Sequence, residues 1–231
     1  LFLACRAAIR AHVSVAAAAA QSDPARAAPV RAEARQYLAL ARNALSPPPP
    51  CLMAVGGLSG TGKSALARAV APRLGPAPGA VILRSDVIRK RLLGAKETER
   101  LSPDAYTRDV SRRVYRILGE ETALVVAAGH SVIADAVCAT PAERSTLADT
   151  ARKAGAAFEG IWLEAPIEVR EERVDFRTAD ASEANREVVR SQDEIDTGRI
   201  EWRSVDAGRA PEQVRDDVVA GILKNLLRLQ S

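Results

Sequence analysis

The stretch Ala54-Val55-Gly56-Gly57-Leu58-Ser59-Gly60-Thr61-Gly62-Lys63-Ser64 constrains this chain more than any other. Residues 57–64 read GLSGTGKS and fit the phosphate-binding pattern G-x-x-x-x-G-K-[ST] without a mismatch. An apolar run at 52–55 reads as a buried strand before it, and a helical pattern at 65–71 follows. Glycines let the backbone curl so that successive N–H groups converge on one anion. The helix opening near Gly62 adds its positive end. The pattern assigns Gly57, Ser59, Gly60, Thr61, Gly62, Lys63 and Ser64 to nucleotide binding. Lys63 reaches the β- and γ-phosphates, and Ser64 offers a hydroxyl to Mg²⁺.

With 231 residues there is room for one α/β domain and an appendage. Aromatics make up only 3%, so the core must be built from Ala, Val, Leu and Ile. Six arginines against two acids in residues 1–50 account for the whole net charge of +4. The part carrying the glycine-rich loop is therefore balanced, which argues against a nucleic-acid partner. Cys5, Cys51 and Cys138 are odd in number and far apart, so neither a metal site nor a disulfide framework follows. A reducing cytoplasm is the expected location. No membrane span is expected, and Arg6, Arg10 and His12 interrupt an opening that otherwise looks like a signal peptide.

Residues 1–46 read as a helical appendage: an Ala-rich helix, then a second capped by Asp23 with Pro24 at its first position. The second helix offers Val30, Ala34, Tyr37, Leu38, Ala41 and Leu45 as its apolar stripe. Residues 47–50, four prolines, form a stiff linker to a main domain at 51–231. There, apolar strands at 80–83, 131–134, 158–163 and 200–205 alternate with helices. A long helix at about 107–128 carries Val110, Val114, Ile117, Leu118, Leu124 and Val125 on one side. Thr140-Pro141-Ala142-Glu143 reads as a capping box. Such alternation predicts a parallel sheet covered on both faces.

Ligands of an open α/β sheet sit outside the carboxyl ends of the strands. Asp86 follows the second strand and Asp135 ends the third, so both point to one cleft with the glycine-rich loop. Asp86 suits first a general base that takes or orients an acceptor proton, with an N-cap of the next helix as the alternative. Arg89, three residues on, suits an acceptor contact. Asp135 suits a Mg²⁺-shell carboxylate, or a simple strand-ending turn. Ala136 follows it where a water-activating ATPase often has Glu. Arg170, Arg173 and Arg177 share one helical face. They fit a lid closing on phosphates, Arg173 and Arg177 above all, or a solvated face balanced by Glu168, Glu171 and Glu172. His12 and His130 suit structural or surface roles, and Trp162 and Trp202 packing rather than base stacking.

Four blocks in order, GLSGTGKSALARAVAPRLG, LRSDVIRKRL, AGHSVIADA and WLEAPIEVREERVDFRTADASEA, resemble a family of bacterial P-loop kinases of AAA-type ATP-binding character. Such domains often form the carboxyl-terminal half of bifunctional proteins whose first half is an aminoglycoside-phosphotransferase-like domain. The wider group includes polynucleotide 5′-hydroxyl kinase, gluconate kinase, adenylylsulfate kinase and chloramphenicol phosphotransferase. The resemblance spans roughly residues 52–210. It implies a five-stranded parallel sheet of order 2-3-1-4-5, ATP and Mg²⁺ as cofactors, Asp86 as base, Arg89 as acceptor contact and Arg173 and Arg177 as lid residues. It also implies that residues 1–45 are the last helices of an upstream phosphotransferase-like domain. The expected activity is transfer of the γ-phosphate to a small-molecule hydroxyl. A polynucleotide 5′-hydroxyl kinase and a nucleotide-binding regulatory module with little turnover are the alternatives.

Overall fold

A computed structural model describes residues 1–175 and 185–229, with side chains up to Gly221. It divides the chain into two compact units, Leu1–Pro49 and Pro50–Ser231.

The first unit is a pair of helices, α1 (Phe2–Ala19) and α2 (Pro24–Leu45). Asp23 caps α2 by accepting from the Ala25 N–H at 2.9 Å, with Pro24 at the first position. The buried residues of α1 are Ala4, Ala7, Ala11, Ser14 and Ala18, a heptad repeat of small side chains. Those of α2 are Ala27, Ala34 and Ala41, again seven apart. The stripe expected on α2 is thus corrected: Leu38 and Leu45 are exposed. A seam made from methyl groups places small residues, not the largest apolar ones, between the backbones. By length and composition alone α1 is apolar enough to cross a membrane, a test that core helices and signal sequences pass as well.

The second unit is a five-stranded parallel sheet, order β2-β3-β1-β4-β5. The strands are β1 (Cys51–Gly57), β2 (Val81–Arg84), β3 (Val132–Asp135), β4 (Ala157–Glu164) and β5 (Arg203–Asp206). Helices α3 (Lys63–Val70), α4 (Ser85–Leu92), α5 (Arg108–Ala127), α6 (Pro141–Lys153), α7 (Ile167–Asp175), α8 (Arg186–Asp193) and α9 (Pro211–Leu229) connect and follow them. β1 is the centre, and its side chains alternate between the two faces. Cys51, Met53 and Val55 meet Leu66 and Val70 of α3 and Val214 and Val218 of α9. Leu52 and Ala54 meet Ile88 of α4, Val114 and Leu118 of α5 and Leu147 of α6. Each such fully buried Leu, Ile or Val contributes about 1.5–3 kcal/mol.

Local signals set the ends of the elements. Thr140 and Glu143 form the reciprocal capping box at the start of α6. Thr107 caps α5 by accepting from the Val110 N–H. The buried face of α5 runs through Val114, Leu118, Thr122 and Val126, a ridge of every fourth residue, which leaves Leu124 exposed rather than inward as expected.

The fifth strand starts at Arg203, not at 200 as the sequence pattern predicts. Trp202 instead lays its indole over Gly160 of β4 and meets Phe158 edge-on at 5.9 Å. A Cβ at Gly160 would lie 2.4 Å from that ring. Gly160→Ala is therefore expected to cost about 1–3 kcal/mol by overpacking a central strand. A lowered urea midpoint with altered Trp emission checks it; an unchanged midpoint refutes it.

Arg144 of α6 organises the stretch before β5. Its guanidinium is buried and donates to the carbonyls of Cys138, Ala139, Thr197 and Arg199 at 2.7–3.1 Å. It also lies over the Trp162 ring.

Candidate functional site

β1 ends at Gly57 and α3 begins at Lys63, so residues 58–62 form the turn between them. Gly62 is the N-cap at φ +94°, and Gly60 lies at φ +87° with its Cα against the Arg170 backbone. Both positions need glycine, Gly60 for two reasons: a Cβ there would meet the Arg170 carbonyl oxygen at 2.6 Å. The turn closes on the Leu58 carbonyl, which accepts from Thr61 Oγ1 at 2.8 Å and Lys63 Nζ at 3.0 Å. The start of α3 and this ammonium make the pocket electropositive.

The carboxyl ends of β2 and β3 supply the opposite wall. In the sheet register Asp135 stands level with both Val55 of β1 and Arg84 of β2. Asp135 is buried and accepts from Ser64 Oγ at 2.5 Å and from Arg84 Nε at 3.2 Å. Arg84 Nη2 also lies 3.2 Å from Ser64 Oγ. The two residues that the sequence assigns separately to Mg²⁺ thus lie within hydrogen-bond distance of each other. Their oxygen donors suit a hard cation that keeps part of its water shell. Arg84 holds the same two side chains from the strand alongside.

Asp86 lies in the first turn of α4, whose N-cap is Arg84. The N-cap alternative for Asp86 is therefore overturned. The residue keeps some surface open, yet burial of its carboxyl, with the charge of Asp135 nearby, pushes its pKa up. Lys63, Arg84 and Arg89 oppose that rise. A desolvated carboxyl with a raised pKa suits proton handling.

The remaining candidates divide. Arg89 is buried, donates from Nη1 to the Ala105 carbonyl at 2.6 Å and lies over the Tyr106 ring; its Nε is buried without a hydrogen-bond partner. Arg173 reaches the loop, with Nη1 3.5 Å from the Thr61 carbonyl. Arg170 does not join it: its side chain turns inward and pairs with Asp193. Arg177 lies outside the described residues. Arg173 also borders a cleft of about 350 Å³ beside the loop, walled by Ala65, Leu66, Ala69, Leu163, Ala207 and Pro211. This apolar slot is the size of a small-ligand pocket. Cys138 is no nucleophile, since burial pushes its thiol up to about 12.

Three features escape a reading of the sequence. Arg84 looks like part of a basic run until the register sets it beside Asp135. The Ala207 and Pro211 wall of the slot comes from the far end of the domain. Gln192 of α8 accepts the Ser59 N–H at 2.7 Å across 133 positions of chain. The first had a signal, the position two before Asp86 at a strand end; the other two had none.

A glycine-rich loop at the carboxyl end of the central strand, with the loop Ser paired to an Asp on the neighbouring strand, defines a P-loop nucleotide-binding protein, and the 2-3-1-4-5 order gives it the fold of P-loop kinases. The chain belongs to the family described as AAA domain (AAA_33), whose model matches residues 52–195. It is 30% identical over 205 residues, 85% of this chain, to the uncharacterized proteins Rv2004c of Mycobacterium tuberculosis and Mb2027c of Mycobacterium bovis. The match spans 39% of the length of those relatives. A gluconokinase from Sinorhizobium meliloti shares the fold at TM-score 0.57 and 21% identity, covering 79% of this chain and 97% of that one. So does the APS kinase CysC of Mycobacterium tuberculosis, at TM-score 0.56 and 19% identity, covering 78% and 99%. A putative kinase from Chloroflexus aurantiacus matches at TM-score 0.58 and 23% identity, covering 78% and 98%.

Proposed function

We propose that this protein is an ATP-dependent phosphotransferase that moves the γ-phosphate to a hydroxyl of a small molecule. The observation that carries this reading is the placement of Asp86. Its carboxyl group, with a raised pKa, is within electrostatic reach of Lys63 of the glycine-rich loop and of Asp135. A nucleotide-binding module without transfer chemistry has no need of a second, desolvated acid at that place.

In this reading the loop amides and Lys63 bind the triphosphate, and the slot beside Arg173 takes the base. Ser64 and Asp135 hold Mg²⁺, which supplies charge neutralisation for the phosphates. Asp86 accepts or orients the acceptor proton. Arg89 and its Tyr106 partner shape the acceptor side, and Arg173 neutralises charge over the loop, the role proposed for Arg177 as well. Gluconokinase and APS kinase share the fold and by name act on small molecules, which supports a small acceptor. The balanced charge of residues 51–231 disfavours a polynucleotide. The working location is the cytoplasm.

The test is ADP release with Mg²⁺ and ATP against sugars, nucleosides, antibiotics and 5′-hydroxyl oligonucleotides. A small hydroxyl compound is expected to raise ADP release at least tenfold above the rate without acceptor, with phosphate recovered on the acceptor. Tight ATP binding with no stimulation by any small acceptor overturns the reading.

A further inference from the structure

The peptide unit joining Leu58 to Ser59 is held at both ends. Its carbonyl accepts from Thr61 Oγ1 and Lys63 Nζ, and its N–H donates to the side-chain oxygen of Gln192 at 2.7 Å. The first two partners belong to the loop itself. The third comes from the last turn of α8, 133 positions along the chain from Ser59. A peptide group is planar, so fixing both its oxygen and its N–H fixes the rotation of the whole unit. Rotation matters here, because a turned plane would aim a carbonyl dipole at the space the loop keeps for phosphate oxygens.

The helix that carries Gln192 is braced. Asp193, the next residue, pairs with buried Arg170, whose backbone lies against Gly60 of the same loop. Arg190 donates to Glu171 at 2.6 Å, and Arg186 pairs with Asp175 at 2.5 Å, tying α8 to α7. Gln192 therefore works from a fixed base rather than from a wandering loop.

We infer that Gln192 is a positioning residue for the nucleotide: its amide oxygen clamps the Leu58–Ser59 peptide plane in the orientation that receives the triphosphate. This rests on the reading of the loop as an ATP site, but the clamp is a property of the protein without ligand. It also joins the α7–α8 pair to the phosphate loop, through Gln192 from α8 and the Arg170 backbone against Gly60 from α7.

The test compares wild type, Gln192→Ala and Gln192→Glu. Without nucleotide, amide exchange at Ser59 is expected to be at least about tenfold faster in Gln192→Ala, since the N–H loses its acceptor. Gln192→Glu keeps an acceptor oxygen and should hold Ser59 exchange within about twofold of wild type. ATP affinity should fall about 3- to 10-fold in Gln192→Ala, the worth of one hydrogen bond. It should fall further in Gln192→Glu, with the added loss shrinking in salt because a carboxylate now faces phosphates. Equal Ser59 exchange in wild type and Gln192→Ala overturns the clamp, and equal ATP affinity overturns its role in binding. Failure of the wild type to bind ATP sinks the proposed function instead, while Ser59 exchange still decides the clamp.

Discussion

Asp86→Asn is expected to lower phosphoryl transfer by about 10²–10⁴-fold, the range for losing a positioned general base. The same change should make the protein more stable at neutral pH. Burial and the nearby charge of Asp135 raise the folded-state pKa of Asp86 above its unfolded value. The folded state thus holds this proton more tightly than the unfolded chain does, so an ionised Asp86 opposes folding. That penalty is fully present above the folded pKa and gone below the unfolded one. Asparagine carries no charge, so the gain in melting temperature at pH 7 should shrink as pH falls below the raised folded pKa and vanish below the unfolded value, about 4. A variant less stable than wild type at pH 7, or one with unchanged transfer, rules out this role.

Asp135→Ala should be the most destabilising single change at the site. It removes a carboxylate that holds both Ser64 and Arg84, the latter with a side chain only 17% exposed. Breaking a buried pair from one side costs about 3–5 kcal/mol. The lower end is expected, because Arg84 retains a route to water. Asp135→Asn keeps an acceptor for Ser64 and should cost less, yet it should raise the Mg²⁺ concentration needed for turnover as Ala does. Denaturant unfolding of both variants, with a Mg²⁺ titration of activity, separates the two effects. Equal stability of Ala and wild type would refute the structural part, and an unchanged Mg²⁺ requirement would refute the metal part.

What the sequence makes legible follows how local the cause is. The glycine-rich loop, the capping box at Thr140 and the Asp23 cap each depend on residues a few positions apart, and each is where the pattern puts it. The alternation of strands and helices carries the sheet, whose order follows from the resemblance. Side-chain direction is less legible. Arg170, Arg173 and Arg177 share a helical face by spacing, but Asp193, from α8, draws Arg170 inward. Leu38, Leu45 and Leu124 look like core by hydrophobicity and are exposed, because neighbours and not apolarity decide which ridge is used. Arg84 and Gln192 become visible only when strands are in register and when a helix meets a loop more than a hundred residues away.

The guanidinium of Arg144 has a consequence for anyone exchanging parts between relatives. The segment before β5 has no helix or strand of its own from 195 to 201, and two of its carbonyls are gathered by a side chain from α6. Its course is thus encoded some fifty positions upstream, at 53 and 55 residues' remove. A graft of this segment alone would transfer its letters and not its path; the donor's partner for Arg144 has to travel with it.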